Sequence, residues 1–245
     1  MKFVVNGNFP TLSKAPIAEA VIDFRTLPVD NWNPEKLKES LIKELPSYSK
    51  KIEEGREFIY SLSVDGKQSK EEKFGCIGYK LTSDEGFSIA QFNKQGFVFS
   101  RVKQYQDWER FCNEARSLWG TYCKLLNPTK VKRIGVRFIN HMVADENPFN
   151  LRNYLNEPPE EKQIVNWDLA RFLHQDVFVI PKTPYFVNLI KTVLPPEPNK
   201  MGGIVVLDID IFANTDIECS WDSLYKHLEV MRIKKNEAFF LNVPK

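Results

Sequence analysis

The sequence lacks any apolar run close to the roughly 18 residues that a membrane span needs. Its longest candidate, residues 203–211, is interrupted by Asp208 and Asp210. After Lys2 the apolar stretch is only Phe3-Val4-Val5, far short of a secretory leader core. A soluble, unexported, cytoplasmic protein is therefore expected. Cysteine and histidine are scarce, at four and three residues. No two cysteines have C-x-x-C spacing, and His141, His174 and His227 lie 33 and 53 residues apart, so no sequence-local zinc site is expected. Cys112 and Cys123 fall on one expected helix about 16 Å apart, too far for a disulfide. All four thiols read as buried and reduced, and nothing local argues for a Cys–His nucleophile. There is no G-x-G-x-x-G, G-x-x-x-x-G-K-[ST] or G-x-S-x-G, so phosphate-loop and hydrolase-elbow chemistry finds no support. An excess of one charge sign is also missing. The 34 Lys+Arg and 32 Asp+Glu give a net charge of +2, which argues against nucleic acid or an anionic membrane as partner.

What is present is a folding composition. The 245 residues are 42% hydrophobic and 13% aromatic, too apolar for disorder and long enough for a substantial core. Residues 18–25 alternate, with Ala18, Ala20, Ile22 and Phe24 on one side and Glu19, Val21, Asp23 and Arg25 on the other, which predicts a half-buried strand. Asn33-Pro34 then opens a helix with a Leu37, Leu41, Ile42 and Leu45 stripe, ended by Pro46. Strand-like runs at 57–64, 75–82, 87–92 and 97–102, separated by turn signals, predict an antiparallel meander. A long helix is expected over 106–126, striped by Trp108, Phe111, Cys112, Ala115, Leu118, Trp119 and Tyr122. The second half reads as a strand at 131–143, a helix from Asn147-Pro148, strands at 172–180, 185–194 and 204–212, and a final helix over 221–238 capped by Ser220.

The halves share order and spacing. Asn33-Pro34-x-x-Leu37-x-x-x-Leu41 reappears as Asn147-Pro148-x-x-Leu151-x-x-x-Leu155, 114 residues on, and Phe24 maps to Phe138 with the same offset. This predicts an α+β fold of two tandem β-α-β(3–4)-α repeats, residues 1–128 and 129–245. They would be related by a pseudo-twofold axis, with mostly antiparallel sheets and a polar groove between them.

Four segments together resemble a family of uncharacterised, sporadically distributed bacterial and archaeal proteins. They are residues 15–25 (APIAEAVIDFR), Trp108-x-x-Phe111-x-x-Glu114-Ala115-x-x-Leu118-Trp119-x-x-Tyr122, residues 133–140 (RIGVRFIN) and residues 207–212 (LDIDIF). The match runs in order through nearly the whole chain. Patchy distribution of that kind suggests mobile genes, and with them a partner in a toxin–antitoxin or defence locus.

The charges fall on strand faces. Glu19, Asp23 and Arg25 share one. Arg133, Arg137 and His141 share another, with Asn140 opposite. Asp208 and Asp210 share a third, while Leu207, Ile209 and Ile211 point to the core. Glu19, Asp23, Arg25, Arg133, Arg137, Asp208 and Asp210 are the candidate binding residues. The arginines would neutralise an anion and the carboxylates would orient them. The favoured reading is a non-catalytic ligand-binding or protein-interaction module, without cofactor, whose partner is another protein or a small anionic ligand. The alternative is a metal-dependent phosphodiesterase or nuclease holding Mg²⁺ or Mn²⁺ on Asp23, Asp208 and Asp210. A third reading, RNA stacking on Phe87, Phe92, Phe97, Phe99 and Tyr105 beside Arg101, has less behind it because such rings are more often core. The basic run Met231-Arg232-Ile233-Lys234-Lys235 reads as a complement to the dipole of a helix end.

Overall fold

A computed structural model of the chain describes residues 9–10, 12, 14–57, 75–144, 150–158, 171–195 and 202–244. These residues form a mixed α+β protein of three α-helices and a nine-stranded sheet. The strands are β1 (Ile17–Thr26), β2 (Lys51–Glu57), β3 (Gly75–Thr82), β4 (Ser88–Asn93), β5 (Gly96–Val102), β6 (Val131–Ala144), β7 (Leu173–Val179), β8 (Tyr185–Leu194) and β9 (Gly203–Ile217). The helices are α1 (Pro34–Glu44), α2 (Trp108–Leu126) and α3 (Trp221–Asn242). The sheet order is β2-β3-β4-β5-β1-β6-β9-β8-β7. Two compact units divide the chain, residues 23–132 with 216–219, and residues 1–22 with 133–215 and 220–245.

In the 23–132 unit a meander forms, with β3, β4 and β5 close to the expected runs and β2 ahead of them, all pairing antiparallel in sequence order. The helix signals act as read. Asn33 Oδ1 accepts from the Lys36 amide at 3.0 Å, and Asp107 Oδ1 accepts from the Arg110 amide at 2.8 Å, each satisfying a donor that helix geometry leaves unpaired. Asn127 ends α2 in the left-handed region at φ 44°, a cap that asparagine tolerates. The α2 stripe is buried from Trp108 to Tyr122. Trp119 meets Phe24 edge-on at 5.0 Å, and Phe92 meets Phe97 edge-on at 5.5 Å, so an aromatic cluster forms the core. Gly96, at φ 153°, admits the close passage of β1, because a Cβ there would lie 2.4 Å from the Phe24 carbonyl oxygen.

In the other unit β7, β8 and β9 pair antiparallel. Val205, Leu207, Ile209, Ile211 and Ala213 alternate inward along β9, as strand period requires. Helix α3 starts at Ser220, whose Oγ accepts from the Ser223 amide at 3.3 Å, and buries Leu224, Leu228, Met231 and Phe239.

Several expectations change. Ile42 is 46% exposed, so the buried stripe is Leu37 and Leu41 with Leu45 at the C-cap. The strand expected at 57–64 falls almost wholly outside the described residues, and the meander begins earlier, at β2. The expected helix from Asn147-Pro148 begins outside them too. Where it should continue, Leu151–Asn153 forms a single 3-10 turn capped by Asn150. Strand β9 runs to Ile217 and helix α3 to Asn242, both longer than the sequence suggests.

Candidate functional site

Strand alternation sets Arg133, Gly135 and Arg137 on one side of β6, and the partners come from β9. Arg137 Nε donates to Asp208 Oδ1 at 2.9 Å and its Nη2 donates to Oδ2 at 2.6 Å, a two-pronged guanidinium–carboxylate pair. Arg133 Nη2 donates to Asp210 Oδ2 at 3.1 Å, and its guanidinium lies 4.9 Å above the Phe212 ring. Gly135 makes room for this, since a Cβ there would lie 3.0 Å from Arg133 Nη1. The hydrogen bond to Asp208 holds the Arg137 guanidinium above its ordinary value, against the pull of burial, and the charges of Asp208, Asp210 and Glu19 add to it. Asp208 is only 6% exposed, whereas the Arg137 side chain is 45% exposed. Asp23 and Arg25 instead face each other at 3.7 Å on their own strand, with Arg25 largely in water. The structure thus joins Arg133, Arg137, Asp208 and Asp210 as two ion pairs within the field of Glu19, in which each guanidinium already has its anion. Among the described residues no group of three or more His, Cys, Asp or Glu could hold a metal ion.

The rings proposed for base stacking lie elsewhere. Phe92, Phe97 and Phe99 are fully buried core and present no face to a base. Arg101, read beside them, enters a polar cleft of about 430 Å³ in the 23–132 unit. There it donates to Ser88 Oγ at 2.8 Å and lies 3.6 Å from Glu85. Tyr48 Oη donates to Glu114 Oε1 at 2.5 Å across the same cleft, and burial, reinforced by Glu114, raises the phenol well above its ordinary value. Its residues come from separate turns, strands and helices, so no local motif announces it.

The sheet edges differ more sharply than sequence reading foresees. β2 carries Lys51, Glu53, Glu54 and Arg56 and a register shift at Gly55/Arg56, features that discourage further pairing. β7 carries the opposite. Among the described residues it pairs with β8 alone, and Leu173, Val177, Phe178 and Val179 are 72%, 59%, 50% and 63% exposed. Strand period sets Leu173, Val177 and Val179 on one face and Phe178 on the other, with His174 and Asp176 paired at 3.1 Å beside it. Gln175 Nε2 donates to Asn188 Oδ1 at 2.7 Å, and Asn188 is the register partner of Asp210, so the apolar strip adjoins the ion-paired face.

Compared with known proteins, the chain matches no family model and no curated protein. The likeness carried by its motifs stays a resemblance.

Proposed function

We propose that the chain is a non-catalytic interaction module that binds another protein by accepting an extended segment along β7. One observation carries this reading: four large apolar side chains, each at least half exposed, on a seven-residue edge strand. Such an edge offers a row of backbone donors and acceptors beside apolar surface. Main-chain pairing supplies affinity there, and alternate side chains supply selectivity. The charged edge of β2 favours the reading, because the same chain carries the usual protection at one edge and omits it at the other. The duplication read from spacing belongs to the same proposal. β1 lies beside β5 and β6 beside β9, so each half sets its first strand next to its last before its long helix. The four free cysteines fit a reducing cytoplasm.

Hydrogen exchange and one variant test it. In dilute protein the outward amides of β7 should exchange fast, and an extended peptide selected for binding should slow them. Val177→Lys should weaken that peptide about tenfold or more and leave the fold intact. Slow exchange of those amides in the dilute monomer would mean the chain covers its own edge, and would sink the reading. A dimer that dissociates on Val177→Lys would identify a second copy as the occupant.

A further inference from the structure

The fourth turn of α3 carries a half-buried amine that the interaction surface does not use. Lys235 Nζ lies 4.0 Å above the ring of Phe138, a fully buried residue of β6, and donates to Asn236 Oδ1 at 2.6 Å. Among the described residues it has no carboxylate partner. Burial, helped by the nearby Arg232 guanidinium, lowers the amine from its ordinary value to about 8. Arg232, one turn earlier on the same helix face, pairs with Glu229 at 3.0 Å. Both cations open onto a cavity of about 240 Å³. Its remaining walls join Phe9, stacked on Phe240 at 5.7 Å, with Phe239, Leu12 and Ile17, and with Asn140 and Asn236 as polar corners. Asn140 is held in place by donating to the Leu207 carbonyl at 2.9 Å. Among the described residues of this lining the ionisable ones are Arg232 and Lys235, both cationic.

A charge partly withdrawn from water with no carboxylate beside it among the described residues is costly, and an anion entering the cavity would relieve that cost. The space is below the roughly 300–1,000 Å³ typical of drug-sized ligands, and its walls reward apolar contact. We infer that this cavity binds a small organic acid, its carboxylate on Lys235 and Arg232 and its short aromatic or branched aliphatic body against Phe9, Phe239 and Phe240.

Calorimetric titration of the full chain with phenylacetate, 3-methylbutanoate, acetate and 2-phenylethanol separates head from body. At least one of the two apolar acids should bind saturably at one site. Acetate, which lacks the body, and 2-phenylethanol, which lacks the charge, should each bind about tenfold more weakly or worse. Lys235→Met keeps the length and apolar stem, and should cost about tenfold or more in affinity for the acid. Above pH 8 the binding enthalpy should vary with the ionisation enthalpy of the buffer, because a carboxylate beside Lys235 draws a proton onto it. No saturable binding of either apolar acid would overturn the assignment, as would equal binding of the alcohol or unchanged affinity in Lys235→Met. None of these outcomes bears on β7.

Discussion

Asp208 is buried to 6% exposure, and its carboxylate is tolerable there because Arg137 meets it with two nitrogens. Arg137→Ala strands that carboxylate. Breaking a fully buried pair costs about 3–5 kcal/mol. Water can reach the 45%-exposed Arg137 side chain, so about 2 kcal/mol is expected here, read as a lower urea midpoint. Adding Asp208→Asn should restore much of the loss, and the double-mutant cycle gives the coupling. A loss near zero for Arg137→Ala would mean a solvated pair whose guanidinium is free for other work. Lys235 makes a second prediction. Its folded-state value, lowered to about 8, lies below its ordinary value in the unfolded chain. Between those values the unfolded chain holds more protons, so the residue's contribution to stability rises with pH across that window and its penalty is full below it. Lys235→Met should therefore melt above wild type at pH 7, and the gap should shrink by pH 10. A constant gap would place the amine in water.

The elements obey local rules where those rules are strong. The α2 cap is one, and Asp107→Ala should lower stability by about 1 kcal/mol, read by thermal or chemical denaturation. Caps and stripes made α1, α2 and α3 legible from the sequence, and alternation did the same for β1. Strand β2 was not, because Lys51, Glu53, Glu54 and Arg56 give it no apolar face, and its ladder with β3 supplies what its side chains do not. The faces carrying Arg133, Arg137, Asp208 and Asp210 could be read from period alone. That each arginine would find its own aspartate, 71 and 77 residues on, depends on β6 lying beside β9, which no local spacing encodes. The same holds for β7. Its apolar residues mark a strand, but only the sheet order makes it an edge. Lys235 was misread for a related reason. It looked like a charge near the end of a helix, whereas α3 continues to Asn242 and carries the amine over Phe138.

At the scale of the whole molecule, a net charge of +2 and an isoelectric point near 8.2 leave little mutual repulsion around pH 8. Two chains that meet there are kept apart mainly by how well their sheet edges are blunted, and β7 is not blunted. Self-association by light scattering should therefore peak near pH 8 and fall as the pH drops well below the isoelectric point, where net positive charge grows. Val177→Lys puts a charge into the apolar strip and raises the net charge by one. If charge alone governed association, that variant would move the peak slightly upward in pH and keep its height. If β7 governs it, the height should collapse at every pH while the fold, read by circular dichroism, stays the same. Unchanged scattering from Val177→Lys would show that β7 is not the adhesive edge and would remove the support for strand addition there.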